Sequence, residues 1–481
     1  MSRWNSAYCD HVLMPDYRFA SQYLAEYFLD AITAHVRTVR RLPSSARHGA
    51  TIARLETAIA GLREEVLPQY QPDVPDLYYA FQQRLEAQLG EAPVSFLRMG
   101  LSRNDLDMTV YKMRARAWLL ELGEQLCCVR RAVLTQAEAN LETLLVAYTH
   151  HQPGQPTTVA HYLTAIDNVL ARDSARLLAG YQRLNTCPLG AAALAGSSHP
   201  LDRHYSAQLL GFDAPVDNSY DAVASSDWQI DIAHISQSVA LNLSRLVCDL
   251  LEWASQGVFC LPDGLVQGSS IMPQKRNPVA LEHARTRFSR ALGNSQAVLY
   301  SSHNIPYGDL NDFGPDIQGS FASLAIQLGG GLALLQACLR EGTFAQEALE
   351  RRAVESDTTA TELADELTRS YDLSFQQAHR LLAALVHDVS AKGKLLQQAT
   401  AQDLEAIGGP VVPASVVEES LSARAFVRRR DGFGGPAPAR VAAHLQAAAQ
   451  RLHDDSSSLK ALAATLTEAR RALRAPRKET L

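Results

Sequence analysis

Apolar residues recur at helical spacing along unusually long stretches of this chain. Between Asp105 and Tyr148 there is no proline and a single glycine, Gly123. The apolar positions there advance by steps of three and four: Leu106, Val110, Met113, Ala117 and Leu120. Such steps place side chains on one face of a helix, and Asn104 with Asp105 supplies a start signal. We therefore predict one helix from about Asp105 to Tyr148.

Two further stretches show the same spacing. The first is a mixture of threes and fours that is typical of a bundle seam: Ile232, Ile235, Val239, Leu243, Leu246, Leu250 and Trp253. The second follows Pro278, which suits the first turn of a helix. Strand-like alternation is nearly absent and nothing repeats at a fixed period, so a doubly wound sheet is not expected. The pattern predicts an all-α fold built around long helices.

Glycine and proline divide the chain into three predicted parts. Residues 1–105 are predicted as an N-terminal helical domain. Residues 106–352 form a central long-helix domain that contains the punctuated loop 261–278. Beyond about Ala353 the helical patterns are shorter and are broken by glycine- and proline-rich turns, so residues 353–481 are predicted as a smaller helical domain.

Composition narrows the class of protein. Of the 481 residues, 47% are apolar and 20% charged, and the net charge of −6 gives no reason to expect nucleic acid or an anionic membrane as a partner. We find no basic start followed by an apolar run, and no stretch near about 18 uncharged apolar residues, so neither a signal peptide nor a membrane span is expected. The seven cysteines are scattered without zinc-ligand spacing, which predicts reduced thiols, a cytoplasmic location and no metal site.

The strongest local signal lies in the loop before Pro278. The run Gly268-Ser269-Ser270-Ile271-Met272-Pro273-Gln274-Lys275-Arg276-Asn277-Pro278 combines flexible backbone N–H groups with a cation and an amide. Such a set suits a dicarboxylate that gains negative charge as it reacts. On composition alone, a surface turn before a helix is the favoured interpretation.

This run resembles the signature loop of the fumarase/aspartase superfamily, whose pattern GSSxMPxKxNP is highly specific. Two other blocks resemble the argininosuccinate lyase version of that superfamily. Ser102-Arg103-Asn104-Asp105 matches SRND, and Tyr148-Thr149-His150-His151-Gln152 matches the block YTHLQ. The likeness extends from about Asp76 to the C-terminus.

The resemblance implies a fold, an assembly and a reaction. The fold is the three-domain helical one, assembled as a homotetramer in which three blocks from three chains form each site. The reaction is a β-elimination that splits the C–N bond of an N-substituted L-aspartate and releases fumarate and a free amine. No metal or organic cofactor is expected, and the partners are small molecules.

The reaction removes a proton from the carbon next to a carboxylate, and this C–H group is a very weak acid. The resulting charge must spread into the carboxylate as an aci-carboxylate, for which Lys275 and Asn277 are the candidate stabilising groups. The resemblance assigns Ser269 as the proton-abstracting base, with Ser270 as the second choice. A serine alkoxide needs N–H donors and a nearby cation.

The departing nitrogen needs a proton or a positive charge. His150 suits this role because an unperturbed imidazole titrates near neutrality. Glu282 falls where the family places the carboxylate that pairs with this histidine. An isolated histidine more often has a structural role, which we assign to His151.

The substrate's carboxylates need a bidentate cation with hydroxyl and amide donors around it. Arg103 is the candidate cation, and its alternative role is a structural ion pair. The full predicted substrate-binding set is Ser102, Arg103, Asn104, Thr149, Gln152, Ser270, Met272, Asn277, Tyr307 and Asn311.

The amine half of the site departs from the family pattern. Phe28-Leu29-Asp30 stands in the helix where argininosuccinate lyases carry a Gly-Ser pair, and Leu101 replaces an arginine. The segment Tyr307–Asp312 is shortened, with Asn311 in place of a glutamine and no lysine after Asp312. Because the loss of a hydrogen-bonding partner in a polar pocket is strongly discriminating, we expect an amine other than arginine, such as a diamine, an amino acid or a hydrazine.

Two alternatives remain open. One is an ordinary argininosuccinate lyase with divergent pocket residues. The other is a non-catalytic tetramer like the lens crystallins related to this family. The joint presence of Ser269, Lys275, Asn277, His150 and Glu282 argues against the second, because a helical bundle has no packing need for that set.

Overall fold

The computed structural model describes residues 4–475, and most of them are helical. Before the long helices lie α1 Ser6–Tyr8, α2 Met14–Tyr23, α3 Ala25–Val39, α4 Gly49–Gly61, α5 Leu77–Leu89 and α6 Glu91–Val94. The central part contains α7 Arg103–Ala139, α8 Val159–Leu184, α9 Arg203–Leu209, α10 Ser219–Ala224, α11 Asp227–Ser255, α12 Val279–Ser301 and α13 Pro315–Glu341. The remainder contains α14 Gln346–Glu355, α15 Ala360–Ser370, α16 Phe375–Ala391, α17 Ala401–Ala406, α18 Ala414–Ser420, α19 Ala423–Arg429 and α20 Pro438–Arg474. Single π or 3₁₀ turns lie at Cys9–Leu13, Pro43–His48, Ser95–Arg98, Asp263–Leu265 and Leu396–Gln398.

Strands occur only as short pairs within residues 4–475. They are β1 Leu144–Thr149, β2 Gln152–Thr158, β3 Thr186–Cys187, β4 Ala214–Pro215, β5 Phe259–Cys260, β6 Gln267–Gly268, β7 Arg276–Asn277 and β8 Thr343–Phe344. They pair as β1–β2, β3–β4, β5–β8 and β6–β7, and only the β3–β4 pair is parallel. The prediction of an all-α fold without a doubly wound sheet is confirmed.

The long helices form a bundle around one apolar core. α7 packs on α8 and α13, α11 packs on α8 and α12, and α12 packs along α13. The seam predicted in α11 is buried, with Val239, Leu243 and Leu250 each 0% exposed. Pro278 stands at the N-cap of α12, as the sequence predicted.

The first long helix is shorter than predicted. It begins at Arg103 with Ser102 as its N-cap, and it ends at Ala139 rather than continuing to Tyr148. Asn140 stops it: its side-chain Nδ2 donates to the carbonyl of Gln136 at 2.9 Å, and Thr143 donates to its Oδ1 at 3.1 Å. The residues that follow pair as the β1–β2 hairpin, so the predicted helix continued through a strand that the apolar spacing did not distinguish.

The C-terminal part contributes to two cores. Buried residues between Leu363 and Leu421 form a separate cluster. α20 instead packs against α7 and α8 and joins the main core. Gly123 on α7 allows this approach, because a Cβ there would lie 2.7 Å from a terminal methyl of Leu459. The boundary at residue 353 stays a prediction.

Helix α13 is long and apolar enough to span a membrane by length and composition alone, with a mean hydropathy of 1.6. Core helices of other proteins meet the same criterion. The expectation that no stretch has this composition was wrong. Glycines, serines and glutamines interrupt the apolar residues of α13, but its central segment carries no charge and is apolar on average. Only 39% of that window is buried within this chain.

A buried arginine joins three helices. The guanidinium of Arg130 on α7 donates to Asp167 on α8 at 2.8 Å and to Asp455 on α20 at 2.5 Å. Arg130 and Asp167 are both fully buried. Breaking such a pair leaves an uncompensated buried charge, so the three helices are tied to one relative position.

Candidate active site

The start of α7 presents the first predicted block. Ser102 and Asp105 form a capping box in which the Asp105 carboxylate accepts from the backbone N–H of Ser102 at 2.9 Å. Its other oxygen accepts from the N–H of Gly190 at 2.7 Å. Burial raises the pKa of Asp105 to about 6. This carboxyl group fixes the block against the loop that contains Gly190.

Arg103 lies within a network of acids. Its guanidinium holds Asp107 through two nitrogens, with the shortest contact at 2.7 Å, and it also pairs with Asp76. Burial raises the pKa of Asp107 to about 6. The ion pair that the sequence left as an alternative is therefore present, and a substrate carboxylate would have to share this guanidinium with two acids.

The predicted residues of the late segment meet the first block. The Asn104 side chain donates to Asp309 at 2.5 Å. Tyr307 donates to Asp221 at 2.9 Å, and its ring stacks on Tyr220 with centroids 5.8 Å apart. Asn311 lies in the same turn, where its carbonyl accepts from the backbone of Asp316 at 3.1 Å. Ser102, Arg103, Asn104, Tyr307 and Asn311 thus occupy one region of the chain.

A cavity of about 290 Å³ lies in this region. Its lining includes Arg103, Asn104 and Asn311 together with three carboxylates that motif reasoning missed, Asp16, Asp107 and Asp316. Asp107 could have been found from its helical i+4 spacing to Arg103. Nothing local in the sequence marks Asp16, because only the packing of α2 brings it here.

The second block forms the tip of the β1–β2 hairpin. His150 and His151 are the two turn residues, with φ of 53° and 60°. A two-residue hairpin turn requires this left-handed backbone. Thr149 pairs with Gln152 beside the turn, and all four side chains are exposed. His161 supports the hairpin, because its ring nitrogens contact Thr157 at 2.8 Å and the carbonyl of Gly434 at 3.0 Å.

The signature loop is a second hairpin, closed at its base by β6 and β7. Arg276 strengthens this base by pairing with Asp263 and by donating to the carbonyl of Leu261 at 2.8 Å. At the turn, the Ser269 oxygen accepts from the N–H groups of Ile271 at 3.3 Å and Met272 at 3.1 Å. This is the donor environment that a serine base requires.

Four other side chains of the signature loop have no polar partner among the described residues. Within residues 4–475 the side chains of Ser270, Met272, Lys275 and Asn277 make no hydrogen bond or ion pair, and Lys275 is exposed. Glu282 is exposed in the first turn of α12. In the same part of the chain, no hydrogen bond or ion pair joins Glu282 to His150.

The predicted site therefore falls into three groups. The first is the start of α7 with the segment from Tyr307. The second is the tip of the β1–β2 hairpin, and the third is the signature hairpin with Glu282. Among the residues described, no hydrogen bond or ion pair links one group to another. A single chain presents the three groups separately.

Comparisons with known proteins identify the class. The family described as lyase matches residues 69–293, and the family described as argininosuccinate lyase C-terminal matches residues 357–428. The argininosuccinate lyase 2 of Agrobacterium fabrum is 34% identical, over 90% of this chain and 87% of its own length. The argininosuccinate lyase of Methanocorpusculum labreanum is 32% identical, over 91% of this chain and 89% of its own length.

Solved structures agree on the fold. EDDS lyase in complex with formate superposes with a TM-score of 0.86 at 29% identity, covering 94% of this chain and 91% of that chain. A class II fumarase from Schistosoma mansoni superposes with a TM-score of 0.68 at 16% identity, covering 83% of this chain and 90% of that chain, which shows the fold alone.

The fold, the signature hairpin and these relatives together identify the chain as a fumarate-releasing carbon–nitrogen lyase of the fumarase/aspartase superfamily. Within it, the chain belongs to the argininosuccinate lyase family.

The Ser269 environment generates a direct prediction. Ser269→Ala should lower turnover at least about 100-fold, because it removes the predicted proton acceptor. The melting temperature should be unchanged, because among residues 4–475 the Ser269 side chain forms hydrogen bonds only within its own hairpin. Steady-state fumarate release and thermal denaturation would measure both.

Ser270→Ala is the matched comparison: it removes a predicted substrate contact but not the predicted base, so it should retain most of the turnover number. If Ser269→Ala stayed active while Ser270→Ala did not, the base would be Ser270.

Proposed function

We propose that this lyase releases fumarate from an N-substituted L-aspartate whose amine is not arginine. The observation that carries the proposal concerns the helix predicted to hold the amine, where Asp30 is already paired and an aromatic ring lines the cavity. Asp30 is 1% exposed and already holds Arg63, Arg470 and Arg474. Phe28 lines the cavity beside Arg103. The helix in which no Gly-Ser pair is found therefore offers an aromatic ring to the cavity, and its Asp30 is already paired with three arginines.

The fumarate half supports the reaction. An EDDS lyase variant solved with bound fumarate superposes on this chain with a TM-score of 0.84. In the proposed mechanism, Ser269 removes the Cβ proton while Lys275 and Asn277 hold the aci-carboxylate. Donors fixed before the reaction stabilise that charge without reorganisation.

Amine departure is the second half of the proposed mechanism. His150, paired with Glu282, protonates the nitrogen as the C–N bond breaks. Ser102, Asn104, Thr149 and Gln152 would bind the carboxylates. Arg103 would share its charge among Asp76, Asp107 and the substrate.

Each complete site is proposed to form between chains of a homotetramer. Three exposed groups that do not meet in one chain need partners to meet. The bundle also exposes apolar side chains that a partner would cover: Leu241 on α11 is 52% exposed and Ile326 on α13 is 53% exposed. The largely unburied apolar face of α13 is what a bundle of several chains requires.

The cytoplasmic location stays a proposal. It is supported by the seven cysteines, which are all free, with Cys127, Cys187 and Cys338 buried among them.

Assays with argininosuccinate and with an amine panel test the amine proposal. Fumarate release from argininosuccinate should be slow, because its arginine finds no matching half-site. Fumarate plus at least one amine of the panel should be consumed in the reverse direction. Fumarate absorbance in the ultraviolet follows both reactions.

Rapid fumarate release from argininosuccinate would contradict the amine proposal and establish an ordinary argininosuccinate lyase. Silence with every adduct and every amine would instead favour the crystallin-like alternative.

The shared site makes a separate prediction. Ser269→Ala and His150→Asn chains should each be nearly inactive alone, but co-expressed they should recover about a quarter of parental activity. Each site draws the two residues from different chains. In an equal mixture each residue is intact in about half of the chains that supply it, so both are intact in about a quarter of the sites. Specific activity of the purified mixture measures the recovery.

The control is the double variant co-expressed with either single variant. One of the two residues is then absent from every chain, so no activity should be recovered. No recovery in the Ser269→Ala and His150→Asn mixture would place both residues in one chain's site.

A further inference from the structure

The cavity beside Arg103 is strongly acidic. Five aspartates line it, namely Asp16, Asp76, Asp107, Asp309 and Asp316. Arg103 is the one cationic side chain among its lining residues. Asn104 and Asn311 border the same space, so it adjoins the residues predicted to bind the substrate.

The charges in this cavity do not balance. Arg103 is paired with Asp76 and Asp107. Asp309 accepts a hydrogen bond from the neutral Asn104. Within residues 4–475, the side chains of Asp16 and Asp316 have neither a hydrogen bond nor an ion pair. Three carboxylates, those of Asp16, Asp309 and Asp316, therefore face the cavity without forming an ion pair among the described residues.

A buried phenol provides an independent indication of a ligand. Tyr111 lines the cavity and is 5% exposed. In the part of the chain that the structure describes, its hydroxyl has no hydrogen-bond partner. The phenol ring is packed in the core, so the hydroxyl is available to a polar group that enters the cavity. The rings of Phe19 and Phe28 also line the space and suit an ammonium ion.

An organic cation fits these residues better than a metal ion does. Among residues 4–475, no three His, Cys, Asp or Glu side chains are grouped closely enough to hold a metal. Carboxylates spread around aromatic rings instead match an alkylammonium tail.

We propose that the cavity binds a second positive charge on the leaving amine, so that the preferred substrate is the aspartate adduct of a diamine that carries no carboxylate. The inference rests on the proposed function, because it places the amine of that reaction. An amino acid as leaving group would bring a carboxylate into a space where the sole guanidinium is already shared by two acids. A simple alkyl amine has no second positive charge, so it would leave Asp16, Asp309 and Asp316 without an ion-pair partner.

The titration of the cavity supports the geometry. Burial, and then the charge of Asp316, raises the pKa of Asp16 to about 6. Burial also raises the pKa of Asp309 and, with Asp312, that of Asp316. Arg103 opposes the increase at Asp309 and at Asp107, whose pKa is about 6. Carboxyl groups with pKa values near 6 are charged above that pH and neutral below it, so cation binding should strengthen as pH rises through about 6.

A matched pair of substrates tests the inference. N-(4-aminobutyl)-L-aspartate and N-pentyl-L-aspartate have tails of equal length that differ in one terminal charge. The diamine adduct should have a kcat/KM at least about tenfold higher, the value expected for one charged contact. This ratio should rise with pH and reach a plateau above about 6, because the cavity carboxyl groups become charged there. Ionisations that affect both substrates equally cancel in the ratio.

Variants assign the effect to the cavity. Asp16→Asn and Asp316→Asn should each reduce the ratio about tenfold, with little change in kcat/KM for the pentyl adduct. Asp73→Asn is the matched control, because Asp73 is an exposed acid that does not line the cavity. It should leave the ratio unchanged.

The outcomes separate the two proposals. Equal rates with both adducts, or a ratio insensitive to Asp16→Asn and Asp316→Asn, would overturn the inference and leave the lyase function intact. Faster release from N-(4-carboxybutyl)-L-aspartate would do the same. Fumarate release from none of the adducts, including argininosuccinate, would remove the proposed function and the inference together.

Discussion

The buried guanidinium of Arg130 sets the framework on which both ends of the site depend. Because Arg130 and Asp167 are wholly removed from water, α7 and α8 cannot slide without leaving a charge unpaired. α7 carries the Ser102–Asn104 block at its start. The chain between α7 and α8 is the β1–β2 hairpin with His150 at its tip. One ion pair therefore helps to fix the relative positions of two of the three groups that this chain presents.

Within that framework, local hydrogen bonds prepare individual groups for their chemistry. The Ser269 oxygen lies under two backbone N–H groups, and Asp105 holds the first block through two more. The groups proposed to meet the reacting atoms, His150, Lys275 and Glu282, are exposed. That division agrees with the proposed tetramer, in which each well-packed chain would leave its groups to be completed by those of other chains.

The sequence predicted the fold class, the α11 seam and the start of α12, because apolar spacing and a proline are local signals. A specific motif also marked the loop of Ser269, and the role of Ser269 as the base stays a prediction. It missed the end of α7, where Asn140 caps the helix through a side-chain bond that spacing does not show. It also missed the acidic cavity. Asp16, Asp107 and Asp316 are far apart in the chain, and only the packing of α2 and α13 near the start of α7 brings them together.

The central claim is that a fixed group on this chain exchanges one proton with the carbon next to the substrate's carboxylate as the C–N bond forms or breaks. Running the reverse reaction in D₂O, with fumarate and an amine that the enzyme consumes, tests it most directly by proton NMR of the product. The account predicts one deuteron on the β-carbon, in a single stereochemical position. A product without carbon-bound deuterium, or with deuterium spread over both positions, would contradict it.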